Sequence, residues 1–191
     1  MRLVPGSDVP DRELTPVGGP AVPVPDPGRL VHLQFRRFAG CPICNLHLRS
    51  FVTRHAEIEA AGIREIVVFH STEEELREHV PGLPFPVVGD PRKRLYAEFG
   101  VESARRALLD PRVWGPLAWS SVIKTWRVLW GRERPPAARP TGGRLGLPGD
   151  FLIGADGRLI AAKYGEHAYD QWSVDELLAL AAEAPAPARK A

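Results

Sequence analysis

Val31-His32-Leu33-Gln34-Phe35-Arg36-Arg37-Phe38-Ala39-Gly40-Cys41-Pro42-Ile43-Cys44 is the stretch on which the fold turns. Its first five residues alternate and favour extended backbone, which predicts a central strand. From Pro42 the pattern becomes helical. Proline is tolerated in a first helical turn, and Leu48, Phe51, Val52 and Ile58 recur at three-to-four spacing until Gly62. The two cysteines therefore open a helix at the exit of a buried strand.

That placement suits dithiol chemistry, which needs two sulfurs within bonding distance and a first sulfur that is accessible and partly ionised near neutral pH. Cys41, at the strand-to-helix turn, faces the unpaired N–H groups of the first turn, whose partial positive charge stabilises a thiolate. Cys44, three residues on and on the same side of the helix, is expected to be less exposed and suited to resolve a mixed disulfide or a sulfenic acid on Cys41. Arg36 and Arg37 add positive potential, but neighbouring strand residues point to opposite faces, so at most one of them faces the site. A metal reading gathers Cys41, Cys44 and His47, one ligand short of a structural zinc site, with no second C-x-x-C or H-x-x-x-H in the chain. His32, His55, His70, His79 and His167 are scattered singly and read as core or surface residues.

Outward from the cysteines, Ile66-Val67-Val68-Phe69 predicts a second buried strand, and Ser71-Thr72 with Glu74 and Glu75 offers a capping box for the next helix. Pro86-Val87-Val88 predicts a short strand and residues 92–99 a helix ending at Gly100. Later, Asp156-Gly157 between Phe151-Leu152-Ile153 and Arg158-Leu159-Ile160-Ala161 signals a hairpin, and Ser173 with Glu176 caps a last helix. Before all of these, residues 1–28 are rich in proline and glycine and carry a short edge hairpin over 13–24. The expected fold is α/β: a mixed central sheet with helices on both faces, parallel where helical crossovers join strands and antiparallel at the hairpin.

Residues 103–147 read as an insertion within one domain spanning 1–185, followed by a flexible tail at 186–191. Inside the insertion, Trp119, Ile123, Trp126 and Trp130 recur at helical spacing, which is read as a helix packed on its own domain, the alternative being an apolar face that covers a cleft or meets another subunit. Lys124, Arg127, Arg132, Arg134, Arg139 and Arg144 are balanced there by Glu133 alone, a run that could attract an acidic partner or an anionic thiol. Gly142-Gly143-Arg144-Leu145-Gly146 lacks the ending of a phosphate loop and is assigned no ligand.

Composition bounds the function classes. The chain has 191 residues, 44% of them hydrophobic, enough for a core without disulfide staples. A net charge of +2 gives no reason to expect nucleic acid or a membrane as the main partner. Two cysteines in a C-x-x-C pair, with neither a secretory leader nor a long apolar run, predict a cytoplasmic protein.

The stretch Phe35-Arg36-Arg37-Phe38-Ala39-Gly40-Cys41-Pro42-Ile43-Cys44 resembles the active-site segment of peroxiredoxin-like proteins of the alkyl hydroperoxide reductase/thiol-specific antioxidant superfamily, and its Cys-Pro-x-Cys core is also similar to glutaredoxins. Leu147-Pro148-Gly149-Asp150-Phe151-Leu152-Ile153 resembles the late proline and strand of thioredoxin-like reductases and peroxiredoxin-like proteins. The resemblance implies a thioredoxin-like three-layer sandwich, with the Trp-rich helical insertion added. It also implies that Pro148 is a cis-proline facing the cysteine pair and seating a partner's backbone. Ordinary peroxiredoxins place a hydroxyl residue three positions ahead of the peroxidatic cysteine and an arginine ahead of the late strand; Phe38 and Pro148 stand there in this chain.

The expected function is that of a thiol-dependent oxidoreductase of peroxiredoxin-like type. Cys41 attacks a peroxide or a disulfide, Cys44 closes an intramolecular disulfide, and Pro148 binds substrate. The alternatives are a disulfide reductase without peroxidase activity and a non-redox module that uses the cysteines for metal. No cofactor is required; the reductant is a thioredoxin-like protein or a low-molecular-weight thiol, and the expectation extends to a homo-oligomer as an allowed assembly.

Overall fold

A computed structural model describes residues 2–80, 82–102, 110–131 and 140–184. The tail 186–191, and the parts of the insertion at 103–109 and 132–139, lie outside the described residues.

The alternating run after Gly28 forms β3 (Leu30–Arg36), the middle strand of a five-stranded sheet. It follows a separate two-stranded antiparallel sheet of β1 (Arg12–Leu14) and β2 (Val22–Val24). β3 pairs in parallel with β4 (Ile63–Phe69), which pairs in parallel with β5 (Val87–Gly89). On its other side β3 is antiparallel to β6 (Gly149–Ile153), and β6 is antiparallel to β7 (Leu159–Tyr164) across the Asp156-Gly157 turn. The spatial order is β5-β4-β3-β6-β7.

Alternation sorts the sheet into two faces. Val31, Leu33 and Phe35 of β3 join Val24 of the hairpin and Tyr96 and Phe99 at α4 (Arg94–Glu98) in one buried cluster. The opposite face is covered by α1 (Pro42–Thr53), α2 (His55–Ala60), α3 (Glu73–His79) and, as the last helix, α6 (Val174–Ala182), through Phe51, Ile58, Leu76 and Leu177. Helices thus lie on both faces of a mixed sheet. Both predicted capping boxes form, Thr72 with Glu75 and Ser173 with Glu176.

Two elements differ from the sequence reading. The helix expected to run unbroken to Gly62 is interrupted at Arg54, which leaves helical dihedrals (φ −106°, ψ 19°) while its guanidinium binds Glu57 at 2.7 Å and Asp175 at 2.6 Å. The second is the insertion. After a single 3₁₀ turn at Pro111–Val113 it forms α5 (Trp114–Leu129), which packs on α1 but not through its tryptophans. Ser120 and Lys124 are the buried positions of α5, at 3% and 6% exposure, whereas Trp119 and Trp126 are 63% and 60% exposed. The expectation that the Trp face packs on its own domain is therefore overturned.

Candidate active site

Gly40 delivers the chain from β3 into α1 with φ +77°, a backbone conformation in which a side chain is strained. A Cβ there would also stand 3.3 Å from the His79 ring. Cys41 follows as the N-cap of α1, and its Sγ accepts a hydrogen bond from the backbone N–H of Cys44 at 3.5 Å. Pro42 occupies the first turn, where its missing N–H leaves no intrahelical bond unmade.

Arg37 is the arginine that faces the thiol: its Nη1 lies 3.7 Å from Cys41 Sγ, and its Nη2 donates to the Arg144 carbonyl. Arg36, one residue earlier, points to the α1 face of the sheet and pairs with Asp150 at 2.7 Å. Burial alone would push the Cys41 thiol up. The hydrogen bond with Cys44, the Arg37 charge and the N–H groups of Cys44 and Ile43 outweigh it and bring Cys41 down to about 6. Cys44 moves the other way, raised by burial and by the neighbouring Cys41. The pair can hold one thiolate and one thiol at neutral pH.

Both cysteines are free thiols and both are buried, each 1% exposed. The sequence expectation of an accessible Cys41 over a more hidden Cys44 is not met: Cys41 shares one buried cluster with Phe38, Ala39 and Val113. Reaction with a substrate requires this cover to open.

Pro148 does not take the form the resemblance implied. The one cis peptide among the described residues is Val24–Pro25, so the bond before Pro148 is trans. Its ring packs against Gly165, where a Cβ would come within 2.6 Å of Pro148 Cγ, and its carbonyl accepts the Gly165 N–H at 2.9 Å. With Leu147 N–H bound to the Glu102 carbonyl at 3.0 Å, the chain enters β6 already tied on both sides.

Sequence reasoning missed two features around the thiols. Beneath α1, the inward positions of β3 are His32, Gln34 and Arg36, all fully buried. His32 Nδ1 contacts Glu65 at 2.9 Å and its Nε2 lies 3.3 Å from Asp150; Gln34 bridges Glu65 and Arg36. Burial would lower His32, but Glu65 and then Asp150 override it and hold it up at about 9. Burial would likewise raise Asp150, and Arg36 with His32 holds it well below the carboxylate range. His47 faces this cluster, 3.3 Å from Arg36, and burial with the Arg36 charge lowers it to about 3. Among the described residues no group of three His, Cys, Asp or Glu side chains is arranged so that it could hold a metal ion. The period-two polar run His32-Gln34-Arg36 was the legible signal.

The second feature is His70, at the end of β4. It is fully buried with neither ring nitrogen hydrogen-bonded, and burial, then Lys93, lowers it to about 4. The backbone at Gly142 and Gly146 lies directly on its ring, where a Cβ would come within 2.1 and 2.6 Å. That close approach accounts for the glycines of a loop to which the sequence assigned no ligand. The same loop supplies the Arg144 carbonyl that holds Arg37.

A cavity of about 690 Å³ lies elsewhere, between Gly28–Leu30, Gly62 and the β6–β7 turn. It opens at the start of β3, roughly 20 Å of strand from the thiols.

The family model for AhpC/TSA antioxidant enzymes matches residues 50–167. The chain belongs to the AhpC/TSA antioxidant enzyme family. Membership makes it a thiol oxidoreductase in the general sense. The matched residues include Asp150, His70 and Pro148 and begin after the cysteine pair, so the roles of Cys41 and Cys44 rest on geometry. Among solved structures, the peroxidoxin BcpB of Mycobacterium tuberculosis superposes with a TM-score of 0.64 at 16% identity, over 97% of this chain and 100% of that one. A cysteine-to-serine mutant of peroxiredoxin 6 from Arenicola marina gives 0.62 at 15%, over 94% and 72%. A putative thiol:disulfide interchange protein DsbE from Chlorobium tepidum gives 0.55 at 18%, over 94% and 99%. At these identities the likeness shows the fold, which is thioredoxin-like. No curated protein sequence matches the chain.

Proposed function

We propose that this AhpC/TSA family member is a two-cysteine thiol peroxidase in which Cys41 is the attacking thiolate and Cys44 the resolving thiol. The observation that carries the reading is the position of Cys41 Sγ, at the N-cap of α1 beside Arg37 Nη1, with a thiol three residues on that keeps its proton. The thiolate attacks the terminal oxygen of a hydroperoxide; the O–O bond breaks, the alcohol or water leaves, and Cys41 becomes a sulfenic acid. Cys44 then attacks that sulfur, water departs, and an intramolecular disulfide remains. Two electrons from a thioredoxin-like protein or a low-molecular-weight thiol reopen it by exchange. No organic cofactor enters the cycle.

A disulfide reductase is the second reading, favoured by Phe38 at the position where ordinary peroxiredoxins hold a hydroxyl. The cysteine roles are then the same, with Cys41 attacking a substrate disulfide. Pro148 is proposed to line the approach to the pair in either case, from its place at the entry to β6 beside the end of β3. The pairing of two thiols without further cysteines suits a reducing compartment such as the cytoplasm.

Stopped-flow oxidation of the reduced protein by hydrogen peroxide, read by tryptophan fluorescence, separates the readings. Peroxidase action predicts a fast phase that is lost in Cys41→Ser and retained in Cys44→Ser. A reaction no faster than that of an unactivated thiol, alongside rapid reduction of a model disulfide, assigns the disulfide reductase instead.

A further inference from the structure

His70, directly after β4, has no exposure to solvent and no hydrogen bond to either ring nitrogen. What covers it is the backbone of 140–147, the segment that leads into β6. A Cβ at Gly142 would stand 2.1 Å from His70 Nδ1 and one at Gly146 2.6 Å from its Nε2, so backbone closes over both nitrogens. The segment is fastened on either side of that ring. Thr141 donates its backbone N–H and its hydroxyl to Glu75 Oε1, at 3.1 and 2.9 Å. The Arg144 carbonyl accepts from Arg37 Nη2, while Arg37 Nη1 lies 3.7 Å from Cys41 Sγ. A strap thus runs from α3, over His70, to the arginine that touches the thiol.

An imidazolium carries two N–H donors that must meet acceptors or water, and the closed strap leaves both nitrogens without a partner. The charges around the ring add to that cost. Lys93, ahead of α4, and Arg37, after β3, both disfavour a proton on it; its own carbonyl and Glu75 favour one, and burial outweighs them. The fourth neighbour is the Tyr96 ring, 5.7 Å away, whose hydroxyl donates to the carbonyls of Arg36 and Val68. Lifting the strap gives the ring water and an ordinary affinity for protons. A group that takes up a proton more readily in one of two conformations draws the population toward that conformation as pH falls.

We propose that 140–147 is a proton-operated latch over the thiol site: protonation of His70 lifts the strap, frees Arg37 from the Arg144 carbonyl and opens the cover over Cys41. The purpose of the opening rests on Cys41 being the reactive thiol; the latch itself rests on His70 and the strap. With His70 held at about 4 under the closed strap and at its ordinary 6.5 when open, opening gains as pH falls below 6.5. Glu75 is held below its ordinary value by Thr141 and Thr72, so the second fastening stays ionised through most of that window. Lys93 and Arg37 keep their charge throughout. Cys41, near 6 and touching Arg37, titrates in the same window and needs its own control.

The test is amide hydrogen exchange across 140–147 in the full, reduced chain, corrected for the intrinsic pH dependence of exchange. Between about pH 7.5 and pH 5 the open population should rise roughly thirtyfold, the factor set by proton affinities of 4 closed and 6.5 open. The rise should persist in Cys41→Ser and vanish in His70→Gln. A strap whose exchange does not change with pH overturns the inference, as does an equal rise in His70→Gln. Loss of the rise in Cys41→Ser overturns it too, since the thiolate and not His70 would then hold the strap. Should His70→Gln fail to fold, the His70 ring proton resonance of the unaltered protein decides: a titration midpoint well below 6.5 is expected, and an ordinary midpoint contradicts a closed strap. Exchange reads opening and not turnover, so a failed latch leaves the thiol assignment standing, and a failed thiol assignment leaves the latch.

Discussion

Cys41 and Arg37 form the smallest unit that sets the reactivity of this AhpC/TSA family protein. A buried thiol ordinarily resists ionisation, and here three sources of positive potential override that: the Cys44 contact, the Arg37 guanidinium and the first N–H groups of α1. Replacing Arg37 by methionine keeps the bulk and removes the charge. The thiolate absorbance of Cys41, with a midpoint near 6 in the wild type, should then titrate roughly one unit higher. An unchanged midpoint would show that the Cys44 contact and the helix terminus set the ionisation without Arg37. Arg37 itself was only half legible in the sequence. Alternation said that at most one of Arg36 and Arg37 faces the cysteines, but the choice depends on where β3 ends, and the structure ends it at Arg36.

At the scale of elements, the turn between β3 and α1 is the critical junction. Gly40 holds a left-handed backbone against the His79 ring, so Gly40→Ala should destabilise the protein by about 1–2 kcal/mol in urea unfolding. A variant as stable as the wild type would mean that the turn relaxes freely. Most elements were readable because their signals are local. The cysteine helix, the Asp156-Gly157 hairpin and both capping boxes each need only a few consecutive residues. The tryptophan helix was readable as a helix and misread in its orientation. Period 3.6 says which residues share a face, and nothing in the period says which face meets the domain. The surroundings of Pro148 escaped for a related reason, since the residues that bond to the chain there, Glu102 and Gly165, come from distant parts of the sequence.

Across the whole molecule, the ionic cluster under α1 ties three strands together. Its partners lie far apart in sequence, 33 residues for His32 and Glu65 and 114 for Arg36 and Asp150, so only the polar alternation of β3 hinted at it. The cluster makes stability depend on pH with a definite sign. His32 titrates near 6.5 when unfolded and near 9 when folded, so its contribution is complete below pH 6.5 and is lost as pH rises through 9. The unfolding midpoint of the reduced protein should therefore fall between those values, and His32→Gln should flatten that fall. The same slope in the variant would assign the pH dependence to other groups.

The central claim, that Cys41 and Cys44 act as one redox unit, is tested most directly by peptide mass mapping after a single equivalent of hydrogen peroxide. The predicted product is one Cys41–Cys44 disulfide in the wild type and a trapped sulfenic acid on Cys41 in Cys44→Ser. Recovery of both thiols unmodified, or oxidation confined to Cys44, would contradict it.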